Sequence, residues 1–154
     1  DDCAHATLMP IGRYLFRRPL TAGEQAAYLK MANAATTRSG DFHAGLQLAL
    51  AAMLVSPDFL SVVESAEPDP ARPGEMRLDA GSRATRLSFF LWNTTPNDAL
   101  LKAAEDGRLA DPAQLAIVAQ QVVKSPRLEA GVRALVADML MFAPFGEIAK
   151  DPNG

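Results

Sequence analysis

Apolar residues recur along the chain at helical spacing, and no segment alternates cleanly between apolar and polar positions. Leu8, Ile11 and Leu15 line one face of a helix expected over residues 3–17, and Pro19 ends it. A second helix, over 22–36, carries the narrow stripe Ala22, Ala26 and Leu29 and breaks at Ser39-Gly40. Over 41–55, Phe42, Leu46, Ala49, Leu50 and Met53 form a stripe while Leu48 and Leu54 make the opposite side apolar too. That pattern predicts a helix buried nearly all round, at the centre of the core. A short turn after Ser56-Pro57 carries Phe59, Leu60 and Val63 and caps that core. Further on, Ala80, Ala84, Leu87 and Leu91 define a helix over 79–93, with Phe89, Phe90 and Trp92 adding bulk. A helix over 96–105 stops at Gly107, where the chain turns left-handed. Two more follow: 112–124, with Leu115, Ala119 and Val122 inward, and 126–142, with Leu128, Val132, Leu135 and Met139 inward, closed by Pro144 and Gly146.

Polar punctuation places the helix starts. Ser56-Pro57, Thr95-Pro96, Asp111-Pro112 and Ser125-Pro126 each put a capping oxygen before a proline whose missing N–H costs nothing in a first turn. Thr21 with Glu24, and Asp111 with Gln114, read as capping boxes, and Asp98 after Thr95 sets a carboxylate on a positive helix terminus. Between the two runs of helices, Pro68, Pro70, Pro73 and Gly74 stand among charges with no apolar period. The expected fold is therefore all-α, with about seven helices in two packed sub-bundles joined by a Pro-rich linker. The divisions are an N-terminal helical subdomain at 1–63, a linker at 64–78 and a second helical subdomain at 79–154.

Composition narrows the function classes. The chain has 154 residues, 49% of them hydrophobic and 21% charged, which is a globular balance. Its net charge is −3 and it has no block of Lys or Arg, so it offers no electrostatic footprint for nucleic acid. The longest apolar stretch, 48–55, falls far short of the roughly 20 residues a membrane-spanning helix needs. One Cys and two His are too few for a structural zinc site made of those residues alone, so no cofactor is expected in this segment. The chain opens at Asp1-Asp2-Cys3 and stops in the turn-like Lys150-Asp151-Pro152-Asn153-Gly154, and it reads as cut from something longer.

Five polar or aromatic residues stand out. Arg17 and Arg18 before Pro19 suit a carboxylate or phosphate grip, but the simpler expectation is that they cap the negative end of the first helix and pair with local acids. Arg86, one residue off the apolar stripe, is expected in a buried ion pair with Asp79 or Asp98, with ligand recognition as the alternative. Trp92 is expected in the core, and the alternative is a partner-facing aromatic. His5 and His43 are the only side chains that titrate near neutrality when unperturbed, and neither has a nucleophile or carboxylate at a spacing that defines a site. The six methionines are spread out and read as gap fillers in a helical core.

Two motifs carry a family resemblance. The first is Arg17-Arg18-Pro19-Leu20-Thr21 with Glu24 and Gly45, leading to the run Met53-Leu54-Val55-Ser56-Pro57-Asp58-Phe59-Leu60. The second is Arg86-Leu87-Ser88-Phe89-Phe90-Leu91-Trp92-Asn93, followed by Pro96, Asp98, Leu100-Leu101, Gly107 and Leu109. In that order and separation they resemble the tandem domains of unknown function, the 1595 type followed by the start of the 1592 type, of exported planctomycete-type cytochrome c associated proteins. The resemblance implies a larger, exported parent, periplasmic or extracellular, with haem c elsewhere in it, since this segment has no Cys-x-x-Cys-His attachment site. In such a parent Cys3 has the option of pairing with a Cys outside the segment; alone it is a free thiol. The second domain would continue beyond residue 154, and the family supplies no catalytic residues. The leading expectation is a helical scaffold or docking module whose partners are neighbouring domains or another protein. The alternative is part of an enzyme, with a site between the two subdomains or completed by residues outside the segment, suggested by the sequence proximity of Arg86, Trp92 and Asp98.

Overall fold

In a computed structural model, residues 2–140 form eight helices and one short hairpin, and these residues are the ones described. The first four helices are α1 (Asp2–Phe16), α2 (Ala22–Ser39), α3 (Phe42–Leu54) and α4 (Pro57–Leu60). The hairpin is β1 (Ala66–Pro68) with β2 (Met76–Leu78), and α5 (Ala80–Trp92), α6 (Asp98–Glu105), α7 (Pro112–Val123) and α8 (Arg127–Met139) follow. The all-α expectation holds in its main lines. No helix among the described residues is long and apolar enough to cross a membrane.

The caps explain where most helices begin. Thr21 and Glu24 form the reciprocal box at the start of α2, with Glu24 Oε2 accepting from the Thr21 N–H at 2.7 Å. Asp41, Ser56, Asp79 and Asp111 each accept from a first-turn amide of α3, α4, α5 and α7. Three expected caps differ, the first being that α8 starts at Arg127 with Pro126 at its N-cap and no side-chain cap, while Ser125 Oγ accepts from the Arg127 N–H at 3.3 Å just ahead of it. Asp111 binds the Ala113 N–H, with no reciprocal bond from Gln114. Asn97, not Thr95, caps α6 by accepting from the Leu100 N–H at 3.0 Å. Buried Pro96 holds the chain extended for two residues before the helix can start.

Two apolar cores result. Ala4, Leu8, Phe16, Leu20, Ala32, Ala49 and Met53 are buried together between α1, α2 and α3. Ala84, Trp92, Leu100, Ala103, Leu109, Val118 and Val122 are buried together between α5, α6 and α7. Helix α3 departs from its expected place at the centre, because Phe42, Leu48 and Leu54 are exposed. It approaches α2 closely, with Gly45 where a Cβ would come 2.5 Å from Ala32 O, so that Gly45, Ala49 and Met53 are buried while Phe42, Leu48 and Leu54 face outward. Helix α2 likewise buries Ala32 and Ala35 rather than Ala22 and Ala26, and Ile11 of α1 is exposed.

The same inversion occurs in α8. Val132, Leu135 and Met139, expected inward, are exposed, while Gly131 meets the backbone at Leu91 and Trp92 of α5. The expected end of that helix, with Phe142, Pro144 and Gly146, lies outside the described residues. The linker is also more than a linker. Its Pro-rich stretch is the loop of an antiparallel hairpin that pairs Ala66 with Leu78, Glu67 with Arg77 and Pro68 with Met76. Asp69, itself buried, accepts from the Ala71 N–H and the Arg72 Nε at 3.0 Å and shapes the loop. Strands of three residues are too short to give a period-two signal.

Candidate functional site

The chain leaves α1 through a strained residue. Arg17 lies at φ 59°, a left-handed conformation uncommon for a side chain of this size, because Pro19 forbids continuation of the helix and the chain must turn toward α2. That turn buries Arg17 to 6% exposure and aims its guanidinium at α4, where Nη2 donates to the carbonyls of Asp58 and, at 2.7 Å, Ser61. The carbonyls it caps are thus those of α4, not those of α1. Burial lowers the Arg17 pKa from its ordinary value, and the neighbouring Asp58 carboxylate partly offsets this.

Arg18 makes the ion pairs. Its fork meets both oxygens of Glu24 at 2.8 and 2.9 Å, and Nη2 also meets Asp58 Oδ1 at 2.9 Å. Bonding to Arg18 is the main cause that holds the Glu24 carboxyl down at about 2, with the Thr21 N–H and hydroxyl adding to it against the cost of burial. The guanidinium carbon of Arg18 also sits 5.6 Å from the centre of the Phe16 ring. The Arg-Arg-Pro-Leu-Thr turn is therefore a knot tying together α1, α2 and α4.

A second knot joins the two halves of the chain. Arg13 of α1 reaches across to α6, with Nε 2.6 Å from Glu105 Oε1 and Nη1 2.8 Å from Asp98 Oδ1. The Tyr14 hydroxyl donates to the same Asp98 oxygen at 3.3 Å. These partners raise the Arg13 pKa, Glu105 most of all, and the Arg13 bond lowers that of Asp98. Asp98 thus stands in the first turn of α6, as expected, but its partner is 85 positions away in sequence.

The remaining candidates separate. Arg86 is exposed and pairs with Glu64, at 2.6 and 2.8 Å, rather than with Asp79 or Asp98 in a buried pair. Position 86 falls on the solvent side of α5, where the hairpin's leading segment brings Glu64 alongside. Trp92 is in the core as expected, and its Nε1–H donates to Val122 O at 3.0 Å. The structure thus brings Arg17 and Arg18 together and places Arg86, Trp92 and Asp98 apart in three roles. Cys3, His5 and His43 are exposed, and no three His, Cys, Asp or Glu side chains gather as a metal site among the described residues.

Between the halves lies a cleft of about 250 Å³. Arg17, Arg18 and Asp58 line one side; Asp79 at the N-cap of α5, Ser82 and Thr85 of α5, and Leu101 and Glu105 of α6 line the other. Ser82 and Thr85 are buried although polar, and the Ser82 Oγ accepts from the Ser65 N–H at 2.8 Å. Sequence reasoning did not single out Arg13, Glu105, Ser82 or Thr85. Hydroxyls at 82 and 85 among the apolar positions of α5 were the one available signal, since i, i+3 spacing puts both on one helix face.

Two family models match the chain in succession. The family model PSD5, Protein of unknown function (DUF1595), matches residues 3–64. The model PSD4, Protein of unknown function (DUF1592), matches residues 78–154. No curated protein and no solved structure matches the chain. With half of its length matched by the second model directly after the first, the chain belongs to the DUF1592 family and carries a DUF1595 domain ahead of that one.

Proposed function

We propose that the chain is a helical scaffold or docking module of a larger, exported protein that works with cytochrome c modules. One observation carries this reading: the conspicuous residues of its two motifs make contacts that hold the fold together. Arg18 binds Glu24 and Asp58, Arg17 caps α4, Trp92 bonds to α7, and Asp98 is held by Arg13 across the seam. Motifs used in this way build a frame of fixed shape, which is what a docking element needs. Exposed Leu135 and Met139 on α8 and Phe90 on α5 give that frame apolar surface for a neighbouring domain or partner protein. Haem c, on this reading, sits elsewhere in the parent, in the periplasm or outside the cell.

The test is to tag the chain in its native host, purify it after cross-linking and fractionation, and measure covalent haem by its absorption bands together with cross-linked peptides. The reading expects export, covalent haem in the same purified species, and cross-links from that haem-bearing region to α5 or α8. A tagged protein found in the cytoplasm, or one free of covalent haem both in its own chain and in its partners, would overturn it. The second reading, an enzyme with a site between the two subdomains, has one observation in its favour: the cleft flanked by Arg17, Asp58 and Thr85. It requires turnover that a variant altered inside the cleft loses.

A further inference from the structure

The polar groups inside the cleft are unequally used. Arg17 spends Nη2 on two carbonyls, and its Nε and Nη1 have no acceptor among the described residues. Thr85 is 4% exposed, and its hydroxyl has no hydrogen-bond partner among the described residues, although Thr7 and Thr37 bond back to their own helices. The Ser82 hydroxyl accepts one bond and retains its proton for another. No side-chain nitrogen or oxygen sealed from solvent lacks a partner among the described residues. The spare groups of Arg17 and Thr85 are therefore not sealed from solvent, and both residues line the cleft.

Each acid around the cleft has at least one oxygen engaged. Both Glu105 oxygens are taken by Arg13, Asp58 Oδ1 by Arg18, and Asp79 Oδ1 by the first-turn Ser82 N–H. The polar lining includes the guanidiniums of Arg17 and Arg18, of which Arg17 has donors to spare, the hydroxyls of Ser82 and Thr85, and the acids Asp58, Asp79 and Glu105, beside apolar walls from Val63, Leu101 and Ala104. Donors without acceptors call for a ligand rich in acceptors. Three carboxylates against two guanidiniums in the same lining set a limit on its charge, because each further negative charge beyond the one seated on Arg17 meets repulsion.

We infer that the cleft between the two helical halves binds a small monocarboxylate, its carboxylate on Arg17 and Thr85 and its short apolar chain against Val63 and Leu101. A site of this kind is compatible with either the scaffold or the enzyme reading. Binding without turnover would leave it standing while removing support from the enzyme reading.

The experiment is a titration of the 15N-labelled chain with butyrate, followed by backbone resonances and the Arg17 side-chain N–H, with butyramide and inorganic phosphate as comparison probes. The expected result is a saturable shift centred on Arg17, Ser82 and Thr85 with butyrate, and none with butyramide or phosphate at the same concentrations. Thr85→Val should weaken butyrate about tenfold or more, the cost of one hydrogen bond to a charged group, and Thr85→Ser should restore it. Arg17→Lys, which keeps the charge and loses the planar donors, should also weaken it. Circular dichroism of each variant confirms the fold. Absence of a saturable shift in the unaltered chain overturns the assignment. So does equal binding of butyrate and butyramide, a shift centred outside the cleft, or unchanged affinity in a folded Thr85→Val.

Discussion

Replacing Gly131 by Ala tests the joint between α8 and α5. A Cβ at this position would lie 2.7 Å from the Leu91 carbonyl carbon and 3.0 Å from Trp92 Cα, with Leu91 O nearer still. Ordinary carbon contacts need about 3.5–4.0 Å, and because every obstructing atom is backbone, no rotamer change relieves the clash. Helix α8 must therefore retreat by about 1 Å. Overpacking of this kind costs about 1–3 kcal/mol, here toward the upper end, against a helix-propensity gain of about 1 kcal/mol for Gly to Ala. A net loss of about 1–2 kcal/mol follows. Gly23 in α2 is the matched control: nothing lies within 4 Å of a Cβ there, so the same substitution should stabilise by about 0.5–1 kcal/mol. Urea unfolding followed by fluorescence reads both, because Trp92 is the single tryptophan and stands at the joint itself. A Gly131→Ala chain as stable as the parent, or more stable, would refute the close packing of α8 on α5.

Three further outcomes are expected. Met53→Ala, at a fully buried position, should cost about 2–5 kcal/mol in urea unfolding, Leu50→Ala less because Leu50 is only half-buried, and Leu48→Ala within about 0.5 kcal/mol of zero. Glu24 is depressed from 4.5 to about 2 on folding, so its contribution is complete above pH 4.5 and is lost as pH falls toward 2; acid titration of stability should show that loss, and Glu24→Gln should flatten it. Trp92→Phe removes the bond to Val122 O and part of a ring from the second core, and calorimetry should show a loss of about 1–3 kcal/mol.

The helices were legible because their signals are local. A capping residue and a proline act within one turn, so Thr21, Ser56 and Asp111 mark real starts. Which face a helix buries is not local. Helix α3 is apolar around much of its circumference, and its orientation is decided by where Gly45 lets α2 come close; α8 turns on Gly131 for the same reason. Large apolar residues attract the reading of a pattern, whereas here Gly45 and Gly131 stand where the helices come close. The hairpin stayed hidden because strands of three residues lie below the length at which period two becomes visible.

The site was legible only in part. Arg17 and Arg18 stand out in sequence because an Arg pair before Pro-Leu-Thr is conspicuous, and they do line the cleft. Arg86 stands out for the same kind of reason yet serves a surface pair with Glu64, since one position of phase on α5 separates the buried face from the solvent side. Arg13 gives no sign of its importance. Its partners are 85 and 92 positions away, and nothing short of the packed fold brings them together.

That long-range joint carries the central claim, that the two family domains are held as one frame. A double-mutant cycle of Arg13→Gln and Glu105→Gln, measured by urea unfolding, tests it most directly. Both side chains are largely covered, and the Nε to Oε1 contact is 2.6 Å. If the joint holds the halves together, the two substitutions couple by about 1–2 kcal/mol and the chain unfolds in one cooperative transition. Strictly additive losses, with the two halves unfolding in separate transitions, would contradict it.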